Sequence, residues 1–377
     1  MPMAVLQFIS LPYIASILGA ETYGETTFLI SVFTLIALPL GNVLNNVRLL
    51  ENNKYKKENI VGDFNYLLIN SIIYASIIFL IVSTQIGFIS FKNIIFLLVI
   101  ILLTIIKEYY VVSFRLELNF KKIMLHNLFL SMGYLLGTYL FKLTGNWEYI
   151  YIIGLIMGNI YIYMNTNLIR EGFQKTKFFK PTLKSNLSLY IASLLKNSIQ
   201  QADKLLLLPL LGPKNVAIYY SSTIIGRMIS MFIAPMNSVI LSYLVREEEK
   251  KSLKSHIIII FIISIPAYIG ILIVAPHFLK VFYSDWASES ISLLKITAGI
   301  AIITVISSLL QPFNLRYNKL KWQLYINGSY LVVYLLLAYY LTSYYGLFGF
   351  SLAVLIASIF NLLLQLSIYY YDDKKQD

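Results

Sequence analysis

The sequence predicts an all-α integral membrane protein, and three observations lead there. The 377 residues are 58% hydrophobic and only 13% charged, with a mean hydropathy of +0.72. A soluble globule carries about 25% charged residues, and a chain this apolar could not cover its own surface with polar groups. Apolar runs near the ~20 residues needed to cross a bilayer recur from end to end. Finally, the basic residues alternate between successive loops in a way that a wrong number of spans would scramble.

Twelve spans are expected. The first half gives about 3–18, 26–46, 64–84, 91–112, 123–142 and 148–168. The second gives about 187–211, 216–244, 256–282, 288–313, 322–343 and 346–370, with boundaries soft by about 2–4 residues. With the N-terminus on the cytoplasmic side, 22 of the 30 Lys and Arg fall in cytoplasmic loops, counting Lys107 with the loop after the fourth span. The outer loops hold only Lys92, Lys142, Lys214 and Lys280. This is the positive-inside pattern of a multi-pass protein with both termini on the cytoplasmic side. The first span is short and Met1 almost enters it, so a missing N-terminal segment is expected and a signal peptide is not.

A net charge of +12 invites a nucleic-acid reading, but no Lys/Arg stripe lies on a soluble domain, so no nucleic-acid partner is expected. The absence of Cys removes disulfides and thiolate chemistry. His126, His256 and His277 are scattered and have no metal-ligand spacing, and no Gly-rich nucleotide loop is present. No metal or cofactor is expected. The longest loop is about 18 residues, too short for a soluble catalytic domain, so the chain is not read as an enzyme. Trp147, Trp286 and Trp322 fall at span ends, as do Tyr344-Tyr345 and Tyr369–Tyr371, and read as anchors in the headgroup zone. Lys295 lies near the outer end of its span and can snorkel.

The halves echo each other. Span one ends in Leu18-Gly19, with Tyr23 and Pro39 following; span seven ends in Leu211-Gly212, with Tyr219 and Pro235 following. Six spans per half give both halves the same orientation, hence two six-helix lobes about a pseudo-two-fold axis along the membrane normal. The lobes are read as 1–169 and 187–371, joined by a cytoplasmic linker 170–186 and ending in a cytoplasmic tail 372–377.

Four cations fall within spans: Lys196, Lys204, Arg227 and Lys295; Asp203 is the only acid clearly inside one. An intramembrane charge costs several kcal/mol and marks a candidate site. Lys196 and Asp203 are seven apart, on one helix face, and Asn197, Gln200 and Gln201 add amides beside them. Asp203 and Arg227 lie ~14 and ~16 Å from the turn at Gly212-Pro213 at 1.5 Å per residue. At those depths they could form an ion pair on antiparallel neighbours. The amides read equally as helix–helix glue. Pro39, Pro235, Pro266 and Pro276 bend spans, either as fixed shape or as joints for moving lobes.

Two stretches resemble a known family. "LPYIASILGAETYGETTFLISVF" resembles the opening of polysaccharide-exporting flippases of the multidrug/oligosaccharidyl-lipid/polysaccharide (MOP) superfamily, which includes the MATE exporters. "QQADKLLLLPLLGPKNVAIYYSSTIIGRMISMF" resembles that family's seventh helix and following turn, with Ala202-Asp203-Lys204, Leu211-Gly212 and Val216-Ala217-Ile218-Tyr219. With twelve spans the likeness covers nearly the whole chain, and Wzx-type flippases are the nearest group. The two additional spans of the lipid II flippase type are not found.

The resemblance implies a MATE/MOP-like pair of lobes around a cavity open alternately to each side of a bacterial cytoplasmic (inner) membrane. It implies an undecaprenyl-diphosphate-linked oligosaccharide of O-antigen, capsule or related type as substrate, with a polysaccharide polymerase and chain-length machinery as partners. Such a substrate needs a cationic, hydrated cavity. Arg227 offers a fork of donors matched to phosphate oxygens, although pairing with Asp203 alone remains equally open. Lys196 could meet the diphosphate on entry or merely snorkel; Lys204 adds a third cation, and Asn197, Gln200 and Gln201 suit sugar hydroxyls. Asp203 is the coupling candidate if protons or sodium drive the cycle. The alternatives are a MATE-type ion-coupled drug exporter, which favours interior acids, and a membrane polysaccharide polymerase or glycosyltransferase. The latter would need paired carboxylates such as Asp285 and Glu289, which read more simply as a solvated loop.

Overall fold

A computed structural model describes residues 2–58, 60, 62–246, 253–317 and 321–373. Lys250, Lys251, Lys319, Lys374 and Lys375 of the charge tally lie outside them, as do residues 374–377 of the tail and the side chains of Pro235 and His256. The described chain is helical: α1 (Pro2–Val5), a π-turn (Leu6–Ser10), α2 (Leu11–Lys57), α3 (Asp63–Ser83), α4 (Phe91–Tyr110), α5 (Val112–Leu116), α6 (Phe120–Thr144), α7 (Glu148–Asn165), α8 (Phe179–Leu211), α9 (Pro213–Arg246), α10 (Leu253–Phe282), α11 (Ala287–Ser292), α12 (Leu294–Tyr317) and α13 (Lys321–Asp373).

Among the described residues, seven helical stretches are long and apolar enough to cross a membrane, and two of them are of double length. The double ones break at glycines with positive φ, Gly19 in α2 (+72°) and Gly346 in α13 (+55°). Gly212, between α8 and α9, has φ +83°, so the Leu-Gly pairs singled out in the two halves both mark sharp bends that only glycine enters cheaply. α7, α8 and α9 are also long enough to span but carry more polar residues.

By compactness the chain forms two units, Met1–Ile14 with Phe28–Leu205, and Ala15–Thr27 with Leu206–Asp377. The sequence places the division at 170–186. In the structure that linker stays with the first unit, for the reason given by its bonds below.

In the first unit α6 lies directly on α7. A Cβ on Gly133 would stand 2.6 Å from Gly154 Cα, a backbone approach that small residues allow in membrane bundles. Leu97, Ile100, Ile101 and Ile105 on one side of α4 are fully buried, while the exposed face of α3 presents Ile69, Ile73, Ile77 and Ile81. The linker is bolted down. Arg48 on α2 forks onto Glu171 (Nη2 to Oε1 2.6 Å, Nη1 to Oε2 3.1 Å), and Asn65 Nδ2 donates to the Glu171 carbonyl at 2.7 Å. Asp63 is fully buried and accepts from Tyr55 Oη (2.9 Å) and from the backbone and hydroxyl of Thr176. Thr182 bonds Tyr55 (2.9 Å) and Glu51 (3.1 Å).

In the second unit α12 packs on α9, α10 and α13. Its core is Ile306, Leu310 and Phe313 with Leu362 and Tyr369, and Leu294 and Ala298 with Ile271 and Ala275. Residues 15–27 join this unit through Tyr23, whose ring centroid lies 5.8 Å from both Tyr283 and Trp286 and 6.2 Å from Tyr220. A Cβ at Gly24 would overlap the Pro213 carbonyl, so this segment meets the start of α9 without a side chain between.

Two of the three tryptophans are not headgroup anchors. Trp286 is 1% exposed and donates Nε1–H to Ser221 Oγ at 3.0 Å; Trp147 is 5% exposed and stands edge-on to Tyr151. Each precedes a helix directly, and the turn folds its ring inward onto tyrosines. Tyr344 and Tyr345 are exposed, as an interfacial belt requires, whereas Tyr369 is buried.

Candidate functional site

α8 forms because its Leu-rich run has few helix breakers, and it stops at Gly212. Its charged stretch falls in the part that belongs to the first unit. Lys196 and Gln200 are exposed, while Asp203 and Lys204 are buried at 9% and 6%. Spacing alone placed Lys196 and Asp203 on one face; their surroundings nevertheless differ. Lys204 Nζ donates to Gln201 Oε1 at 2.7 Å, which ties the two side chains together. Asn197 Nδ2 donates to the Ser193 carbonyl one turn back, at 2.8 Å, which commits one of its donors to its own helix.

Arg227 lies in α9, within the second unit, half-buried. Its Nε donates to Thr223 Oγ1 at 3.0 Å, and its guanidinium carbon stands 5.0 Å from the centroid of Tyr220. A hydroxyl four residues back and a ring seven back hold the plane of the fork. Asp203 falls in the first unit and Arg227 in the second.

The sequence reading missed a second charged pair. Lys107 and Glu108 lie in the last turn of α4, mostly buried and ion-paired, and Asn45 Nδ2 donates to the Glu108 carbonyl at 2.8 Å. Lys107 is therefore part of a helix rather than a loop, and Asp203 is not the only acid within one. The dipeptide Lys107-Glu108 before Tyr109-Tyr110 inside an expected span was the available signal. Nor were Arg48, Asp63 and Glu171 singled out, because each reads as an ordinary loop residue until the chain folds.

Among the described residues, no group of three His, Cys, Asp or Glu could hold a metal ion. His126 is buried between Phe114 and Tyr161, and His277 Nδ1 is 2.9 Å from the Ile273 carbonyl of its own helix. Of the acids at the expected outer loop, Glu289 bridges Lys214 at 2.9 Å and Asp285 accepts from Ser284 Oγ at 3.0 Å. That hydrogen bond and charge hold the Lys214 ammonium above its ordinary pKa. Burial pushes the Tyr283 phenol well above its ordinary range.

Comparison with solved structures identifies the fold. An inward-facing multidrug resistance MATE family transporter of the MOP superfamily superposes with a TM-score of 0.77 at 16% identity, covering 100% of this chain and 98% of that one. The lipid II flippase MurJ in an inward closed conformation gives 0.74 at 15% identity, over 96% of this chain and 84% of that one. An outward-facing MATE transporter gives 0.66 at 16% identity, over 99% and 92%. In sequence, an uncharacterized membrane protein of Methanocaldococcus jannaschii is 29% identical over 225 residues, which are 55% of this chain and 53% of that protein. The match thus spans about half of that relative. No family model matches. The fold is that of MATE and MOP-superfamily transporters, and the chain is a multi-pass membrane protein.

Proposed function

We propose that this chain is a flippase for undecaprenyl-diphosphate-linked repeat units of an O-antigen, capsule or related polysaccharide, carried between leaflets by alternating access. The observation that carries the reading is the excess of interior cations on α8 and α9. Lys204 is buried with Gln201 at its ammonium, and the Arg227 fork is held by Thr223 and Tyr220. A diphosphate cannot cross hydrocarbon without such groups, and Arg matches its oxygens two at a time. In this reading Arg227 on α9 is a candidate contact for the diphosphate, Lys204 on α8 is another, and Lys196 meets it on entry. Gln200, Gln201 and Asn197 serve the sugar hydroxyls, and Asp203 balances or couples the charge. Proton or sodium coupling at Asp203 belongs to the same proposal, as do partnership with a polymerase and chain-length machinery and residence in a bacterial inner membrane with cytoplasmic termini.

The deciding measurement is surface glycan in cells that depend on this chain, scored at matched membrane levels. Arg227→Ala is expected to abolish export and Arg227→Lys to keep part of it. Full export by the alanine variant removes Arg227 from the site. Glu108 favours a second reading, an ion-coupled drug exporter, because it adds an interior acid. Lys107 pairs with it, so the two together add no net charge. Efflux of a cationic dye that requires Glu108, with no effect on glycan, would select that second reading.

A further inference from the structure

The linker and the adjoining helix ends carry charges of both signs in sequence, but folding sorts them. Glu171 is turned onto Arg48, Asp63 onto Tyr55 and Thr176, and Glu51 onto Thr182. The cations face outward: Lys54, Lys56, Lys57, Lys175, Lys180 and Lys184 are all exposed, although Lys54 also lies 3.8 Å from Glu51 and Lys177 pairs with the exposed Glu58. Several are mounted on rings rather than left to sweep through solvent. Lys175 Nζ is 4.4 Å from the Tyr66 centroid and 5.3 Å from that of Phe179, and Lys54 Nζ is 4.2 Å from that of Phe178. Phe173 and Leu50 protrude beside them, 58% and 74% exposed.

The depth of this plate follows from the same helices. Tyr66 is in the first turn of α3, and the exposed apolar face of α3 begins at Ile69, about 5 Å further along the axis. On α8 the exposed Leu187 follows Lys184 by three residues, again about 5 Å. The lysines therefore stand at the rim of the hydrocarbon-facing surface, where phospholipid headgroups lie. Exposed apolar residues beside ring-mounted cations suit a headgroup and acyl boundary better than an acidic protein in water.

We propose that this plate, built from the end of α2, the linker and the start of α8, is a docking surface for anionic phospholipid headgroups of the leaflet it faces. The lysines supply the charge, and Phe173 and Leu50 supply the apolar contact. This goes beyond the transport reading and does not depend on it, because the readout is lipid retention alone.

The purified full chain is incubated in detergent with equimolar phosphatidylglycerol and phosphatidylcholine of identical acyl chains, and retained lipids are counted by native mass spectrometry. At about 1 kcal/mol per lysine near the surface, phosphatidylglycerol should be retained at least about fivefold over phosphatidylcholine. The combined variant Lys54→Gln, Lys175→Gln, Lys180→Gln and Lys184→Gln should fall close to parity, and the same four changed to Arg should keep the preference. Parity in the wild type, or a preference that survives in the Gln variant, overturns the proposal. If the Gln variant is not monodisperse, the wild type in high salt decides: an exposed headgroup contact is screened away, and a preference unchanged by salt overturns it. Displacement of the lipid by one equivalent of inorganic diphosphate would also overturn it, by showing a small-anion pocket instead.

Discussion

The linker end of the first unit and the Tyr23 joint of the second solve the same problem with different chemistry. Each must fasten a segment that enters the unit from elsewhere in sequence. The first unit does so with charge: Arg48 on Glu171, and Asp63 under Tyr55 and Thr176. The second uses neutral groups. Tyr23, Tyr220, Tyr283 and Trp286 cluster, Trp286 donates to Ser221, Ser221 and Ser290 share a bond at 2.8 Å, and Thr297 donates to the Ser222 carbonyl at 3.1 Å. Charge pairs are tolerable at helix ends, where water is near. A dry joint between helices is more cheaply made from hydroxyls and rings. The contrast bears on function: the joint of the second unit needs no charge, so Arg227 on α9 is not explained by it.

The largest effect should come from breaking the charged fastening. Arg48→Ala leaves Glu171 without its partner in a mostly buried place and is expected to cost about 3–5 kcal/mol, read as a loss of thermal stability in detergent. Arg48→Met combined with Glu171→Met should recover most of that loss, since neither charge is then stranded. A double variant as unstable as Arg48→Ala would show that packing, not charge, holds the linker. The neutral joint should respond less sharply. Trp286→Phe keeps a ring but loses the bond to Ser221 and should cost about 1 kcal/mol plus a smaller packing term. A cost equal to that of Arg48→Ala would erase the distinction between the regions.

The smallest effect belongs to the exposed pair Lys214–Glu289. The hydrogen bond and charge of Glu289 raise the folded-state pKa of Lys214 above its ordinary value. Its contribution is thus fully present below the unfolded value and disappears as pH rises through the raised one. Glu289→Gln should change the Tm at pH 7 by no more than about 2 °C, and the difference should close in strongly alkaline buffer. A gap that widened with pH would mean the bridge is not the cause.

Much of the fold was legible before any coordinates. Leu18-Gly19 and Leu211-Gly212 read as matching span ends, and the structure bends the chain at both glycines, where a residue free to take positive φ is needed. The charges at Lys196–Lys204 and Arg227 stood out because hydrocarbon penalises them. The headgroup role expected of Trp147 and Trp286 did not hold, since position at a span end does not say which way a ring points. Lys107-Glu108 was overlooked because Lys107 was counted with the loop that follows the fourth span.

The sequence by itself determined that this chain is a bundle of membrane-crossing helices, because apolar length and charge alternation are local properties that a bilayer reads directly. It also determined where ionisable groups enter those helices. Only tertiary structure decided that residues 15–27 belong with the second unit, that the linker is fastened to the first, and that Asp63 and Glu171 turn inward there while most lysines face out. Those outcomes depend on which partners arrive from more than a hundred residues away, as Arg48–Glu171, Tyr55–Thr182 and Tyr23–Tyr283 do. A buried polar group is stable only when such a partner arrives, and nothing in its own neighbourhood of sequence foretells it.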